Sequence, residues 1–199
     1  MNHILGIVGS PREGGNTERL MEELLASARE EGAETILFSL AGKTVSPCLA
    51  CENCRGGPPE WCTQDDDMMD LYPRMVWADA IVFGTPVYMG TMTAQLKAVF
   101  DRSRPLWRMD NALSTKACAA LAVGDGRWGG QELAIQNIYW AALNHGMIVV
   151  GSASLPFGNW EVCGKAGERG EIAHGKEAMR AAQGLGRRLA RLRVELAQP

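Results

Sequence analysis

Four cysteines with the compact spacing Cys-x2-Cys-x2-Cys-x7-Cys lie in the first third of the 199-residue chain. They are Cys48, Cys51, Cys54 and Cys62. Three of these thiolates fall within seven residues and can occupy three corners of a cubane, and the glycines and prolines before Cys62 can turn the chain toward the fourth. The spacing is similar to that of bacterial 4Fe–4S sites, although the fourth cysteine comes later and no proline follows it. We therefore predict that the four thiolates hold a 4Fe–4S cluster.

Zinc and free or redox-active thiols are the alternatives for the same four cysteines. A structural zinc site usually pairs two Cys-x2-Cys units that lie far apart in the sequence, and this spacing fits that pattern less well. Cys118 lies in a predicted strand, where we interpret it as a small buried hydrophobic residue. The sequence indicates no function for Cys163.

A glycine-rich segment at residues 9–17 could bind an anion. Its glycines let a ligand approach the backbone closely, and its hydroxyl and amide side chains add donors at a predicted helix start. Gly9 and Gly14 are spaced as in a Walker motif, but Gly15 and Asn16 stand where that motif continues with Lys-Ser/Thr. The three-glycine dinucleotide fingerprint is also missing from this segment. We predict that it binds a terminal monophosphate, with an ordinary glycine-rich turn as the alternative.

Two further segments, 85–92 and 124–132, have the composition of ligand-binding loops. In the first, a proline fixes a rigid turn, Gly90 permits close approach, and Tyr88 can form an aromatic wall beside a flat heterocycle. The second has four glycines and Trp128, which could stack on a ligand. Each segment alone could equally be a turn between a strand and a helix. Three such segments at one sheet edge indicate a ligand-binding site much more specifically than any one of them does alone.

Hydrophobic patterning predicts the elements that would position these segments. Short apolar runs predict strands at 4–9, 34–40, 80–85, 116–124 and 147–152. Helical periodicity predicts helices at 17–32, from 65–67 to about 77, and at 93–102, 131–145 and 173–196. We expect Asn16 or Thr17 to cap the first helix and Pro73 to kink or break the second. The alternation predicts an α/β fold whose parallel sheet is covered on both faces, with ligands beyond the carboxyl ends of its strands.

Length and composition predict one domain over residues 1–199, with a cysteine-rich loop at about 41–63 and a glycine-rich excursion at about 154–172. A formal net charge of −3 gives no basic surface for nucleic acid. We expect no membrane association, because no apolar run approaches the ~20 residues of a spanning helix. The sequence does not begin like a signal peptide, so its cysteines argue for a reducing compartment, and we expect a cytoplasmic protein.

Three motifs carry a resemblance to a known family. They are Gly-Ser-Pro-Arg-x-Gly-Gly-Asn-Thr at 9–17, Thr-Pro-Val-Tyr-x-Gly-x-Met-x-x-Gln-Leu-Lys-x-x-x-Asp-Arg at 85–102, and Gly-Gly-Gln-Glu at 129–132. In these motifs the chain resembles the flavodoxin-like NAD(P)H-dependent FMN reductases. The compact four-cysteine motif resembles that of the iron–sulfur flavoproteins within them. The likeness covers most of the chain and is weakest at 154–172.

The resemblance implies a flavodoxin-like, doubly wound sheet of five parallel strands in the order 2-1-3-4-5, with the cysteine-rich loop inserted after strand 2. It assigns the FMN phosphate to Ser10, Arg12, Asn16 and Thr17. It assigns the isoalloxazine ring to Pro86, Val87, Tyr88, Met89 and Gly90. It assigns the other side of the flavin to Gly124, Asp125, Gly126, Trp128 and Gly129. It also implies a homodimer or homotetramer, and ferredoxin or NAD(P)H as the redox partner.

These inferences predict an FMN-dependent redox protein with a 4Fe–4S cluster that passes electrons between a reduced donor and an acceptor. The flavin would supply the chemistry, so we assign no catalytic amino acid. One alternative is an NAD(P)H-dependent FMN or quinone reductase with structural or zinc-binding cysteines. Another is a zinc-bearing module that binds a phosphorylated ligand.

Tryptophans in or near loops favour an oligomer that covers the cofactors, because aromatic residues are enriched at interfaces. They are Trp61, Trp107, Trp128 and Trp160. The alternative is that these residues pack within one subunit.

Overall fold

Strands and helices alternate through most of the chain. The computed structural model describes residues 2–56, 61–126, 129–152 and 162–192. The strands are β1 (His3–Val8), β2 (Glu34–Ser39), β3 (Ala80–Pro86), β4 (Ala117–Gly124), β5 (Ile148–Val149) and β6 (Val162–Lys165). The helices are α1 (Asn16–Glu30), α2 (Met68–Trp77), α3 (Ala94–Arg102), α4 (Arg104–Arg108), α5 (Gln131–Asn144) and α6 (Lys176–Arg191).

The strands form a parallel sheet in the order β2-β1-β3-β4-β5, which confirms the predicted flavodoxin-like topology. The fifth position differs in detail from the prediction of one strand at 147–152. There β5 pairs with the first two residues of β4, and β6 pairs with its last four. The sequence pattern missed β6 because this strand lies in a stretch whose glycines interrupt the apolar period.

Each face of the sheet carries its own hydrophobic core, as expected for strands that are apolar on both sides. On one face α1 and α6 pack through residues such as Leu24 and Leu185. Their contact is so close that a Cβ on Gly186 would lie 2.1 Å from the Leu24 carbonyl oxygen. On the other face α2, α3 and α5 pack through residues such as Leu71 and Leu96. The sheet is therefore a rigid support for the loops at its edge.

The helices differ from the prediction in three local features: the N-cap of α1, the absence of a break at Pro73, and an additional short helix. The N-cap of α1 is Gly15, and no side chain caps it; Asn16 makes tertiary hydrogen bonds instead. The helix α2 continues through Pro73, because its Leu71 and Tyr72 are buried in the core and outweigh the lost hydrogen bond. The short helix α4 follows α3 directly and was not predicted. None of the helices in the described ranges has the length and hydropathy needed to cross a membrane.

A buried histidine joins the end of α5 to the turn between α3 and α4. The Nε2 atom of His145 lies 2.6 Å from Ser103 Oγ, and that hydroxyl donates to the Phe100 carbonyl at 2.7 Å. The hydroxyl therefore accepts a hydrogen bond from Nε2–H. Among the described residues nothing hydrogen-bonds to the buried Nδ1 atom. Burial lowers the pKa of His145, so the ring is held neutral.

We expect acid to destabilise the protein through His145. The contribution of the neutral ring to the free energy of unfolding is complete above the unfolded-state pKa of about 6.5. It is lost as the pH falls toward the lowered folded-state pKa, because the unfolded chain then binds a proton that the folded chain does not. Urea unfolding at pH 7.5 and 5.5 should give a smaller loss of stability for His145→Gln than for the parent. His174→Gln, a change at an exposed histidine, is the control. Equal losses in the parent and His145→Gln would contradict the assignment.

Candidate functional site

The loops that follow β1, β3 and β4 meet at one edge of the sheet. The Gly9 amide donates to the Gly84 carbonyl at 2.7 Å, and Thr93 Oγ1 donates to the Gly9 carbonyl at the same distance. The Val87 amide donates to the Val123 carbonyl at 2.8 Å. The structure thus brings together the three segments that the sequence selected.

The first loop makes a tight turn before α1. The buried Ser10 hydroxyl accepts from the Arg12 amide at 3.1 Å, and the Gly15 amide donates to the Arg12 carbonyl at 3.2 Å. The Arg12 residue is exposed, whereas Thr17 is buried beneath the loop. A turn that ends at a helix start, with an exposed guanidinium, has the charge and the amide groups that bind phosphates.

The side chain of Asn16 joins this loop to a distant part of the chain. Its Nδ2 donates to the Glu168 carbonyl at 2.6 Å, and its Oδ1 accepts from the Gly170 and Ile172 amides at 2.8 and 3.3 Å. The phosphate-binding role of Asn16 stays a prediction. Its structural role was missed because its partners lie more than 150 residues away.

Two further guanidinium groups lie beside the first loop. Arg169 donates to the Glu13 carbonyl at 2.5 Å, and its Nη2 is 3.1 Å from the position that a Cβ on Gly14 would take. Arg19 Nε donates to the Gly14 carbonyl at 3.3 Å. The loop therefore has more positive charge around it than residues 9–17 alone provide.

The second loop contains a β-turn with unusual backbone angles. Tyr88 and Thr91 exchange backbone hydrogen bonds at 3.0 and 3.1 Å around Met89 and Gly90. Both central residues have positive φ, +49° and +80°, so Met89 is strained while Gly90 is not. The Met89 side chain is fully exposed and Tyr88 and Pro86 are partly so. An ordered turn that presents apolar side chains to solvent fits the predicted contact with a flat ring.

The third loop is organised by Gln131, a residue to which we gave no role from the sequence. This buried side chain donates to the Gly126 carbonyl at 2.7 Å and accepts from the Gly129 amide at 2.8 Å. A Cβ on Gly124 would lie 2.7 Å from Gln131 Nε2, so a glycine is needed there. In the sequence around Gln131, the signal for this role was limited to a polar residue at the start of a predicted helix.

The third loop also contacts the second. A Cβ on Gly130 would lie 3.3 Å from the Gly90 Cα, so the two glycines pass closely. Asp125 and Gly126 are exposed at the edge of the sheet. Trp128 lies outside the described residues, so its stacking role stays a prediction.

The four predicted metal ligands line one pocket at the other end of α3. Cys48 and Cys51 are exposed, Cys54 and Cys62 are partly buried, and none of the four forms a disulfide. Arg102 and other residues from the end of α3 and from α4 also line this pocket. In the part of the chain that the structure describes, no three potential metal ligands are close enough to form a preassembled metal site. The structure therefore collects the thiols without closing them around a common centre.

The backbone of the cysteine loop turns amide groups toward sulfur. Ala50 and Glu52 have φ values of +52° and +65°, and the Ala50 amide donates to Cys48 Sγ at 3.4 Å. Hydrogen bonds from the Asn53 amide and the Thr63 hydroxyl lower the pKa of Cys51. A lowered pKa favours the thiolate, which is the form that binds metals. In contrast, complete burial raises the pKa of Cys118, as suits a small core residue.

A buried ion pair holds the two ends of the cysteine loop. Arg102 donates to both carboxylate oxygens of Asp66 at 2.8 and 3.0 Å, and the two side chains are only 1% and 7% exposed. Arg102 also donates to the Ser46 and Gln64 carbonyls at 3.0 and 3.4 Å. Ser46 precedes the first loop cysteine by two residues, and Gln64 follows the last by two. The sequence predicts only that Asp66 lies at the start of a helix.

A second ion pair holds the middle of the loop. Arg104, from α4, lies 2.8 Å from one oxygen of Glu52 and donates to the other at 3.0 Å. The hydrogen bond and charge of Glu52 raise the pKa of Arg104, and the charges of Cys54 and Cys48 add to this effect. Helix α4 thus supplies a cation next to the thiols.

Comparison with known proteins defines the family. The sequence model that describes the NADPH-dependent FMN reductase family matches residues 2–162 of this chain. An iron–sulfur flavoprotein of Methanosarcina thermophila is 49% identical over 152 residues, 76% of this chain and 78% of that protein. An iron–sulfur flavoprotein of Methanocaldococcus jannaschii is 41% identical over 187 residues, 94% of this chain and 95% of that protein. The chain belongs to the iron–sulfur flavoproteins of the NADPH-dependent FMN reductase family.

A solved structure confirms the fold of this FMN reductase-family protein. The NAD(P)H:quinone oxidoreductase from Methanothermobacter marburgensis superposes with a TM-score of 0.68 at 17% identity, covering 94% of this chain and 98% of that one. Family membership confirms the resemblance drawn from the motifs, and it makes the chain a flavin-dependent oxidoreductase with FMN as its flavin. It contradicts the alternative of a binding module without enzymatic activity.

Substitution of Arg12 tests the predicted phosphate site of this FMN reductase-family protein. We expect Arg12→Ala to weaken FMN binding by about one to two decades, because a charge-assisted hydrogen bond contributes roughly 1.5–3 kcal/mol. Fluorescence titration of the apoprotein with FMN measures the affinity. Arg29→Ala is the control, because Arg29 is exposed at the far end of α1. Unchanged affinity in Arg12→Ala would exclude this role, and Arg169→Ala would then show whether the second guanidinium binds the phosphate.

Proposed function

We propose that the chain is an FMN redox protein that holds a 4Fe–4S cluster on Cys48, Cys51, Cys54 and Cys62 and transfers electrons between a reduced donor and an acceptor. One observation carries the proposal: the four thiols line one pocket, and buried hydrogen bonds fix the loop on both sides of them. The cluster supplies one-electron chemistry when bound, beside a flavin that takes one or two electrons.

The donor set of the pocket fits such a group. Thiolates are soft ligands that select iron–sulfur clusters or zinc, and the loop offers four. Amide and hydroxyl donors already face Cys48 and Cys51, as is typical of sites that stabilise negatively charged sulfur. The four cysteines of this pocket are therefore the residues that would hold the group.

We propose that FMN occupies the edge formed by the three loops. Ser10, Arg12, Asn16 and Thr17 would hold the phosphate, with the amide groups at the start of α1 adding positive potential. Pro86, Val87, Tyr88, Met89 and Gly90 would contact the isoalloxazine ring. Gly124, Asp125, Gly126, Trp128 and Gly129 would cover its other side. The residues of this chain orient the flavin and shield it from water, and none is required as an acid or base.

The electron donor is the point on which two functions differ. We favour NAD(P)H or ferredoxin as donor to a flavin–cluster pair. The alternative is an NAD(P)H-dependent FMN or quinone reductase whose cysteines are structural or bind zinc, and the name of the matching family favours a nicotinamide donor. Labile sulfide separates the two, because only the first function needs it.

We propose that the protein is a homodimer or homotetramer. Trp61 stacks on Tyr72 with ring centroids 5.2 Å apart, so this tryptophan packs within the subunit. Trp107 is 46% exposed and Trp140 on α5 is 63% exposed, near the exposed Leu143. Large exposed apolar side chains on a helix are typical of a surface that a second subunit covers.

We also propose one domain over residues 1–199 and a cytoplasmic location. All strands in the described ranges belong to one sheet, which supports the single domain. The assignment of the four loop cysteines as ligands, and not as a disulfide framework, favours a reducing compartment.

Replacement of one loop cysteine tests the cluster. We expect anaerobically prepared Cys51→Ser to lose most of its iron and acid-labile sulfide but to keep FMN, because it removes one thiolate and leaves the flavin loops intact. Cys118→Ala, in the core of β4, should keep all three. Iron, sulfide and flavin analysis provides the measurement. A parent with flavin but without labile sulfide, even after reconstitution, would overturn the cluster and leave the FMN reductase.

Sedimentation tests the assembly. The parent should sediment as a dimer or tetramer at micromolar concentration, and Trp140→Glu should raise the dissociation constant at least about tenfold, since it places a charge in an apolar contact. Arg180→Glu, at an exposed position of α6, should leave it unchanged. A monomeric parent would be evidence against the proposal.

A further inference from the structure

One hydrogen-bond donor of the Arg102 guanidinium stays unpaired within the described part of the chain. An arginine has five N–H donors in a rigid fork. The two terminal nitrogens of Arg102 bind Asp66 and the Ser46 and Gln64 carbonyls. The remaining donor, Nε–H, is buried and has no hydrogen-bond partner among the described residues. A buried donor without a partner is costly, so this position implies an acceptor that is not yet in place.

The cysteine pocket is where that acceptor would come from. Arg102 lines the pocket together with Cys62, and the Cys62 residue is partly buried against the hydrophobic core. Burial by itself lowers the pKa of Arg102. The hydrogen bond to Asp66 and the charges of Tyr72, Cys62 and Asp66 raise this pKa by more. Arg102 and Cys62 therefore line the same pocket, and Nε–H is the one guanidinium donor without a partner among the described residues that could reach a sulfur there.

We propose that Arg102 is a positioning residue whose Nε–H donates a hydrogen bond to the Cys62 sulfur when that sulfur is a ligand in the occupied pocket. This inference rests on the proposed function, because it takes Cys62 as a ligand of the bound group. The other N–H groups fix the ends of the loop, and Nε–H fixes the sulfur itself. A hydrogen bond to a ligand sulfur stabilises the more negative, reduced state of a cluster and so raises its reduction potential.

Arg102→Lys separates this role from a general effect of charge. A lysine keeps the positive charge next to Asp66 but has no Nε–H and lacks the planar fork. We expect reduction of the cluster to become about tenfold less favourable, a fall of about 59 mV for one electron. The midpoint potential of FMN, measured in the same anaerobic titration, should not change. Arg104→Lys is the matched control, because Arg104 lines the same pocket but binds Glu52 at the surface.

An unchanged cluster potential in Arg102→Lys, with iron and sulfide retained, would overturn the inference and leave the proposed function intact. If Arg102→Lys fails to fold or to hold a cluster, a second measurement on the parent protein, which keeps Arg102, tests the inference. We expect ¹¹³Cd²⁺-loaded protein to show a scalar coupling between cadmium and the Arg102 Nε proton through the sulfur. That coupling should vanish in Cys62→Ala and persist in Cys48→Ala.

The cadmium measurement does not depend on iron or sulfide, so the two proposals can fail separately. A parent without labile sulfide overturns the proposed function, whereas the coupling still tests the contact between Arg102 and Cys62. Cadmium bound by the parent without any coupling to Arg102 would overturn the inference.

Discussion

The ion pair between Arg102 and Asp66 is the contact on which the cysteine pocket depends. Each partner is almost fully buried, and each also bonds to the backbone of the loop: Arg102 to Ser46 and Gln64, and Asp66 to the amides of Ser46 and Met68. Burial alone would raise the pKa of Asp66, but these hydrogen bonds lower it and keep the carboxylate charged. When both partners of a buried ion pair are replaced by apolar residues, the stability of a protein can be preserved. When only one partner is removed, the protein typically loses about 3–5 kcal/mol, because the other charge stays buried and unpaired. The pair therefore specifies the loop conformation, which regular secondary structure does not provide.

Helix α3 relates this pocket to the flavin edge. Its N-cap, Thr93, accepts from the Leu96 amide and donates to the Gly9 carbonyl at the first loop. Its last residue is Arg102, in the wall of the cysteine pocket. Nine helical residues span about 13 Å, and the buried side chains of α3 lock it against the sheet. The two candidate sites thus lie at the two ends of one helix that is packed against the sheet.

The sequence was sufficient for those features that depend on local composition. Continuous apolar runs identified the buried strands, and glycine-rich segments after three of them identified the loops that meet at the sheet edge. The compact cysteine spacing identified the pocket. The features that sequence patterns missed depend on contacts between distant residues. Asp66 and Arg102 are 36 positions apart, Asn16 and Glu168 are 152 apart, and nothing in either neighbourhood indicates the pairing. Pro73 is a local signal that tertiary packing overrode.

The hydrogen bonds of Asn16 have a consequence for the order of folding. They join the loop after β1, at the beginning of the chain, to residues 168–172, just before the final helix. Contacts between such distant positions must wait until a long stretch of chain has been brought together, and they form late. A nascent chain that has not yet emerged beyond residue 172 cannot make them. The first loop therefore reaches its final shape only after residues 168–172 have joined it, and a phosphate-bearing cofactor held by Asn16 would load after that step.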